Sequence, residues 1–345
     1  MTTPSAAAGP EPAASAPSTA APAGTAPSTA APAGTAPAGT APASRRTLRI
    51  AEVAALLVMF SWGMNVVAVK AALAEVPPLI FAFVRFGTAF LVLLAVLKLR
   101  EGSVGLPRRD IVPVFLLGLA GFGLYQDLWA TALGQTTASN SALITAATPV
   151  STMLLCAAVG SDTLSRAKIV GGAVAFAGAV GVVVATHGIG ITGASLGDLM
   201  TFAATVCWAV YVAFGTPVLV RHSPLRTATW TIGLGSLGIL PFAVWQAASF
   251  DPGRIHAGTV GIVLFCALIP AAAANVVLFE AVKVLGPART MLFQFLVPAF
   301  AVVLAAAFLG EAIVVGQLIG GGVIVLGILV ARSPARSRWR RARFR

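Results

Sequence analysis

Long apolar segments separated by short polar loops fill the chain from about residue 50 onward. Each segment has about 18 residues or more and almost no charge, which is the length and composition of a membrane-spanning helix. The ten segments are 50–70, 78–97, 111–131, 138–159, 168–186, 197–219, 227–247, 257–281, 288–309 and 313–331. Apolar runs such as Phe300 to Leu309 do not alternate as barrel strands do. The pattern predicts an all-α polytopic membrane protein with ten transmembrane helices.

The two halves of this body repeat each other at an offset of 149 residues. Pro149 corresponds to Pro298, Gly171 to Gly320 and Gly178 to Gly327. Five segments per repeat is an odd number, so the copies insert in opposite directions. We therefore predict two five-helix inverted repeats, 45–190 and 191–333. The glycine-rich runs 171–181 and 316–327 predict close helix packing.

The ends of the chain differ from the body. Residues 1–44 are almost entirely Ala, Pro, Thr, Ser and Gly with Glu11 as their single charge, and the ten-residue unit 16–25 recurs at 26–35. Such a segment cannot form a core, so we expect a disordered arm that is dispensable for insertion and transport. It lacks the basic start and apolar stretch of a signal peptide, so no cleavage is expected. Residues 334–345 form a basic tail.

Composition and charge point to a membrane. The chain is 58% hydrophobic and 10% charged, against about 25% charged in soluble domains. With a cytoplasmic N-terminus, 20 of the 23 Lys and Arg fall on the inner side, residue 104 lies inside and residue 255 outside. This bias predicts two cytoplasmic termini in the cell membrane. It also explains the net charge of +12 through anionic lipids rather than nucleic acid.

The sequence indicates no metal site, no cofactor and no enzymatic activity. The cysteines lie inside apolar segments at unrelated spacings, and the histidines lie in predicted loops, where solvated side chains are expected. These residues are Cys156, Cys207, Cys266, His187, His222 and His256. The chain lacks Walker A, HExxH and GxSxG motifs. Charged residues near helix starts, such as Glu52, need only interfacial solvation, and Asp162 and Glu311 are interpreted as turn residues.

Two ionisable residues lie well inside the predicted spans. Arg85 and Asp127 are on neighbouring helices of opposite direction, each roughly 7 to 10 Å below the outer surface at about 1.5 Å per residue. A charge at that depth needs a partner or a wet cavity. The two residues are interpreted either as a permanent bridge between helices or as a working site for solute or protons.

Uncharged polar and aromatic residues complete the candidate site. They are typical of a cavity wall, with core packing as the alternative. The uncharged candidates for substrate binding or coupling are Trp62, Asn65, Tyr125, Gln126, Trp208, Tyr211, Asn275 and Gln294. Pro149 and Pro298 each free a backbone carbonyl and are predicted to kink their helices, which makes them hinge candidates.

Several motifs occur together along the apolar body: Trp62-Gly63-x-Asn65, Arg85, the Pro149 and Pro298 segments, and Gly310-Glu311 with its following glycines. In these motifs the sequence resembles the EamA-type transporters of the drug/metabolite transporter superfamily. The resemblance implies a ten-helix secondary transporter that exports a small metabolite or drug, with proton exchange as a further interpretation. Direction and substrate are implied by the resemblance alone. The alternative is a membrane scaffold or sensor that moves no solute.

Overall fold

The described part of the chain is helical. The computed structural model describes residues 44–132, 135–136, 138–187, 195–310 and 312–332, and these contain no strand. Eight helices in them are long and apolar enough to cross a membrane: α1 (Arg45–Ala72), α2 (Pro78–Glu101), α3 (Arg108–Ala132), α5 (Arg166–Thr186), α6 (Leu196–Arg221), α7 (Pro224–Ala247), α8 (Ala257–Leu285) and α9 (Pro287–Leu309). Two shorter apolar helices are α4 (Ile144–Ala158) and α10 (Val315–Ala331). Each of the ten overlaps a predicted segment, and eight of them, all but α4 and α10, are long enough to span a membrane.

Helices α3 and α8 each contain a π-helical segment. The segments are Leu119–Leu124 in α3 and Ala267–Ala273 in α8, at matching positions of the 149-residue repeat. A π-helical segment inserts an extra residue into the helix and rotates everything that follows it. In α8 the segment contains Pro270, which has no N–H to donate and leaves a carbonyl free for another partner.

The helical segments that contain Pro149 and Pro298 are interrupted just before the prolines. A helix at Ala138–Ala146 ends one residue before the helix Thr148–Ala158, which begins with Thr148 and Pro149. In α9, the 3-10 turn Phe293–Phe295 precedes the helix that contains Pro298. The α-helical hydrogen bonding is thus interrupted before both prolines, and a kink and a hinge role at the two residues stay predictions.

The helices pack in a pattern that maps onto itself. α1 contacts α8 and α9, α6 contacts α3 and α4, α2 packs on α7 and α8, α3 packs on α7, and α5 packs on α10. Each helix of the first five has a counterpart five positions later in the chain, so that α1 corresponds to α6, α2 to α7 and so on. When every helix in these pairs is replaced by its counterpart, the same pairs result. Two sequence halves with equivalent roles would produce this pattern.

The α5–α10 contact is made by glycines. Gly171 lies against Gly327, and Gly178 lies against Gly320; an added Cβ at Gly327 would be 2.4 Å from the backbone nitrogen of Ala175. Backbones can approach this closely only where side chains are absent. The predicted close packing of the two glycine-rich runs is confirmed.

Ion pairs join helices at the end of the bundle where α1 begins. Glu52, 6% exposed, accepts a hydrogen bond of 2.6 Å from Arg289. Asp110, 2% exposed, pairs with Arg221 and His222 at 2.9 Å each. The predictions of a solvated His222 and of an interfacially solvated Glu52 are wrong, because each residue has an oppositely charged or polar partner on another helix.

Asp162 lies in the turn between α4 and α5, as predicted. Its carboxylate accepts from Lys168 at 2.8 Å and from the backbone N–H of Ala288 at 3.0 Å, and so caps the start of α9. Its predicted counterpart, Glu311, lies outside the described residues. The arm apart from Ser44, and the tail 334–345, also lie outside them.

Candidate functional site

Arg85 of α2 makes hydrogen bonds with candidate residues on two other helices. It is the eighth residue of α2 and is 8% exposed. One terminal nitrogen donates to Asn65 Oδ1 of α1 at 3.3 Å, and the other donates to Gln126 Oε1 of α3 at 3.4 Å. Asn65, Arg85 and Gln126, which the sequence places up to 61 positions apart, therefore form one polar group.

The contact expected between Arg85 and Asp127 is not formed. No ion pair joins them in the structure, and Asp127 Oδ1 is buried without a hydrogen-bond partner among the described residues. Consecutive residues of an α-helix point about 100° apart, so Gln126 and Asp127 cannot both face α2. The π-helical segment just before them sets which one does, and sequence spacing alone did not reveal it.

Two phenylalanine rings flank the guanidinium of Arg85. Its carbon Cζ lies 4.3 Å from the centroid of Phe86 and 5.4 Å from that of Phe81. The negative faces of aromatic rings attract a cation, most strongly where water is excluded. Sequence reasoning missed both residues, because a phenylalanine in an apolar span looks like any other hydrophobic residue.

The four aromatic candidates form one cluster around Trp208. Its ring lies 5.4 Å from Trp62, 5.7 Å from Tyr125 and 5.2 Å from Tyr211, centroid to centroid. Trp62 and Trp208 meet edge to face, at 76°. Because Trp62 is on α1 and Trp208 on α6, the cluster joins the first helices of the two predicted repeats.

Two further phenylalanines extend this cluster. Phe122 lies 5.1 Å from Tyr211 and 5.1 Å from Phe86, which in turn lies against Arg85. Phe279 lies 5.4 Å from Tyr211 on another side. An unbroken series of ring contacts therefore leads from the buried guanidinium to the pair of tryptophans.

The backbone carbonyl of Pro270 accepts hydrogen bonds from two candidates. Trp62 Nε1 donates to it at 3.2 Å, and Asn275 Nδ2 donates to it at 3.4 Å and to the carbonyl of Ala271 at 2.8 Å. Sequence reasoning missed Pro270, although a proline inside the eighth apolar segment was a visible signal.

Several candidate side chains carry buried polar atoms that make no hydrogen bond within the described part of the chain. A buried polar atom without a partner is unfavourable by about 1–3 kcal/mol, so several in one region call for an explanation. These atoms are Arg85 Nε, Asp127 Oδ1, Trp208 Nε1, Tyr211 Oη, Asn275 Oδ1 and Gln294 Oε1. Gln294 lies in the 3-10 turn of α9 and, within the described residues, makes no hydrogen bond with any of the other candidate residues.

Apolar spans around a buried group of polar and aromatic side chains indicate a multi-pass membrane protein. The model of the EamA-like transporter family matches the chain twice, at residues 49–184 and 195–333. The protein belongs to the EamA-like transporter family, within the drug/metabolite transporter superfamily.

Curated relatives are named as transporters. The "Uncharacterized transporter YyaM" of Bacillus subtilis is 29% identical over 73% of this chain and 83% of that protein. A "Probable amino-acid metabolite efflux pump" of Salmonella typhimurium is 29% identical over 80% and 92%. A "Probable terminal-alkyne amino-acid exporter" of Streptantibioticus cattleyicolor is 28% identical over 71% and 82%.

A solved crystal structure shares the fold. It superposes with a TM-score of 0.69 over 82% of this chain and 97% of the other chain, at 18% identity.

Proposed function

We propose that this protein is a secondary transporter that exports a small organic metabolite by alternating access between two inverted repeats, 45–190 and 191–333. The observation that carries the proposal is the aromatic and polar cluster where α1, α2, α3, α6 and α8 meet, with its partnerless buried atoms. The self-matching helix contacts and the two family matches support the repeat layout.

The relatives' names support the direction. Two of the proteins described above are named as an exporter and an efflux pump. By this proposal the chain lies in the cell membrane with both termini in the cytoplasm, as the distribution of Lys and Arg favours.

Asp127 is the proposed proton carrier. It is half-buried on α3 with one carboxylate oxygen unpartnered, and an intramembrane carboxylate that can change its charge is the usual element of a proton relay. Solute export in exchange for protons then requires that Asp127 be accessible to each side in turn.

Solute flux from vesicles tests the proposal. Purified protein in proteoliposomes is expected to accelerate efflux of at least one solute from a panel of apolar amino acids and organic acids. A proton gradient that drives protons into the vesicles, opposite to the solute, is expected to increase the rate. Asp127→Asn should abolish the effect of the gradient, whereas Glu280→Gln, an exposed carboxylate of α8, should not. Absence of any flux would favour a scaffold or sensor.

A further inference from the structure

Arg85 holds a buried positive charge without a carboxylate beside it. A guanidinium remains protonated in proteins, and this one is 8% exposed. Its two hydrogen-bond acceptors are neutral amide oxygens at 3.3 and 3.4 Å, beyond the usual N–H···O range. Within the described residues no Asp or Glu forms an ion pair with it. Such a charge is unfavourable unless an anion joins it.

One donor of this guanidinium, Nε–H, has no acceptor among the described residues. The face lies over Phe86 and the terminal nitrogens contact Asn65 and Gln126, but Nε is buried and makes no hydrogen bond within the described part of the chain. The Nε–H and a neighbouring terminal N–H point in parallel and match the two oxygens of a carboxylate.

The surroundings of that edge are aromatic. Rings follow one another from Phe86 through Phe122 to Tyr211 and Trp208 at centroid distances of 5.1 to 5.2 Å. Aromatic faces and edges favour flat apolar groups. A ligand that places its anionic group on Arg85 would lay its remaining atoms against these rings.

We infer that Arg85 anchors the transported solute, and that the solute is a monocarboxylate with a flat apolar body. The inference rests on the proposed transport function and names its substrate class. A single charge is favoured over a doubly charged phosphate, because the other Lys and Arg of the described helices lie near helix ends and none could neutralise a second negative charge beside Arg85.

Calorimetric titration of the full-length protein in lipid nanodiscs tests the inference, with empty nanodiscs as the blank for partitioning. The probes are 3-phenylpropionate, its neutral amide and 3-phenylpropylamine, which share one body and differ in charge. The acid is expected to bind at least about 30-fold more tightly than the amide, the difference that a buried charge pair typically makes. Arg85→Gln should remove this preference, Arg85→Lys should keep part of it, and Arg100→Gln, exposed on the same helix, should leave it unchanged.

Equal binding of the three probes, or retained acid preference in Arg85→Gln, would overturn the inference. Tight binding of phenylalanine without binding of 3-phenylpropionate would also overturn it, because the ligand would then be a zwitterion. If Arg85→Gln does not fold, the three probes on the unmodified protein still decide. Carboxylate binding without flux of any solute would overturn the proposed transport function alone, whereas solute flux that Arg85→Gln leaves unchanged would overturn this inference alone.

Discussion

Gln126 and Asp127 are neighbours in sequence with different environments. Gln126 is 7% exposed and accepts a hydrogen bond from Arg85, while Asp127 is half-buried and leaves one oxygen unpartnered. Arg85 and Asp127 therefore form no ion pair with each other in this structure. In the proposed mechanism Arg85 binds the solute and Asp127 carries the proton, so each charge would interact with a species from outside the chain.

A double-mutant cycle distinguishes the two neighbours. Arg85→Ala and Gln126→Ala should be coupled by about 0.5–3 kcal/mol, the range for residues in direct contact. Arg85→Ala and Asp127→Ala should add within about 0.5 kcal/mol, because no contact joins them in the structure. Denaturant unfolding of the three single and two double variants in detergent, with the unmodified protein, measures both values. A larger coupling with Asp127 would contradict the described geometry.

A second prediction concerns Glu75, in the loop between α1 and α2. Its carboxylate accepts from the backbone N–H of His256 at 3.0 Å, from Thr259 Oγ1 at 2.7 Å and from the ring of His256 at 3.0 Å. These hydrogen bonds, the backbone N–H of His256 above all, hold the pKa of Glu75 below its usual 4.5. The contact therefore stabilises the fold above that pH and is lost as the pH falls below it.

Glu75→Gln should accordingly lower the midpoint of thermal unfolding at neutral pH and weaken its dependence on pH below about 4.5. The matched control is Glu280→Gln, which changes the same group at an exposed position. Thermal unfolding of both variants between pH 3 and pH 7, ~0.5 pH units apart, gives the comparison. Identical pH profiles for the unmodified protein and Glu75→Gln would show that the loop contact does not form.

Part of the candidate site was predictable from the sequence. Strongly polar side chains and tryptophan away from the membrane interfaces are uncommon in apolar spans, so Trp62, Asn65 and Arg85 stood out, and the structure brings them to one region. The partner of Arg85 was not predictable, because a π-helical segment upstream decides which side of α3 faces α2. Phe86 and Phe122 were missed because aromatic packing leaves no polar signal.

At the scale of whole elements, the apolar pattern predicted where helices lie, and the proline positions predicted where they break. Hydrophobic length is a direct consequence of bilayer thickness, which is why this prediction is robust. Partners were harder to predict, because a helix in lipid is apolar on every side and shows no stripe that marks its neighbour. The glycine runs of α5 and α10 are the exception, since missing side chains mark a contact face.

This contact face supplies the third prediction. Gly327→Ala should destabilise the protein by about 1–3 kcal/mol, the usual effect of overpacking, because the added Cβ would lie 2.4 Å from the backbone of Ala175. Gly322→Ala is the matched control on the same helix, with no atom within 4 Å of an added Cβ, and should be neutral or slightly stabilising. Unfolding in detergent measures both. Equal effects would mean that α5 and α10 do not meet at these glycines.

At the scale of the molecule, charge distribution predicts orientation. Arg45, Arg100, Arg226 and Arg289 all lie at the end of the bundle where α1 begins. Cationic residues are retained on the cytoplasmic side during insertion. That end of the bundle should therefore face the cytoplasm.

Cysteine labelling in intact cells tests the orientation. Gly105→Cys and Gly258→Cys, both at exposed positions with room for a side chain, are introduced after the native Cys156, Cys207 and Cys266 are replaced by Ala. A membrane-impermeant maleimide should label position 258 in intact cells and position 105 only after permeabilisation. The reverse pattern would invert the proposed topology.

The contact between Trp62 and Trp208 gives the protein an internal optical reporter. The two indoles, one from each half, lie 5.4 Å apart at 76°, close enough for their electronic transitions to interact and to shape the near-ultraviolet circular dichroism. The strength of that interaction falls steeply with separation and changes with angle. Any rotation of one half against the other would thus alter the spectrum of the unmodified chain, and conformational exchange can be timed by stopped-flow optics without attaching a dye.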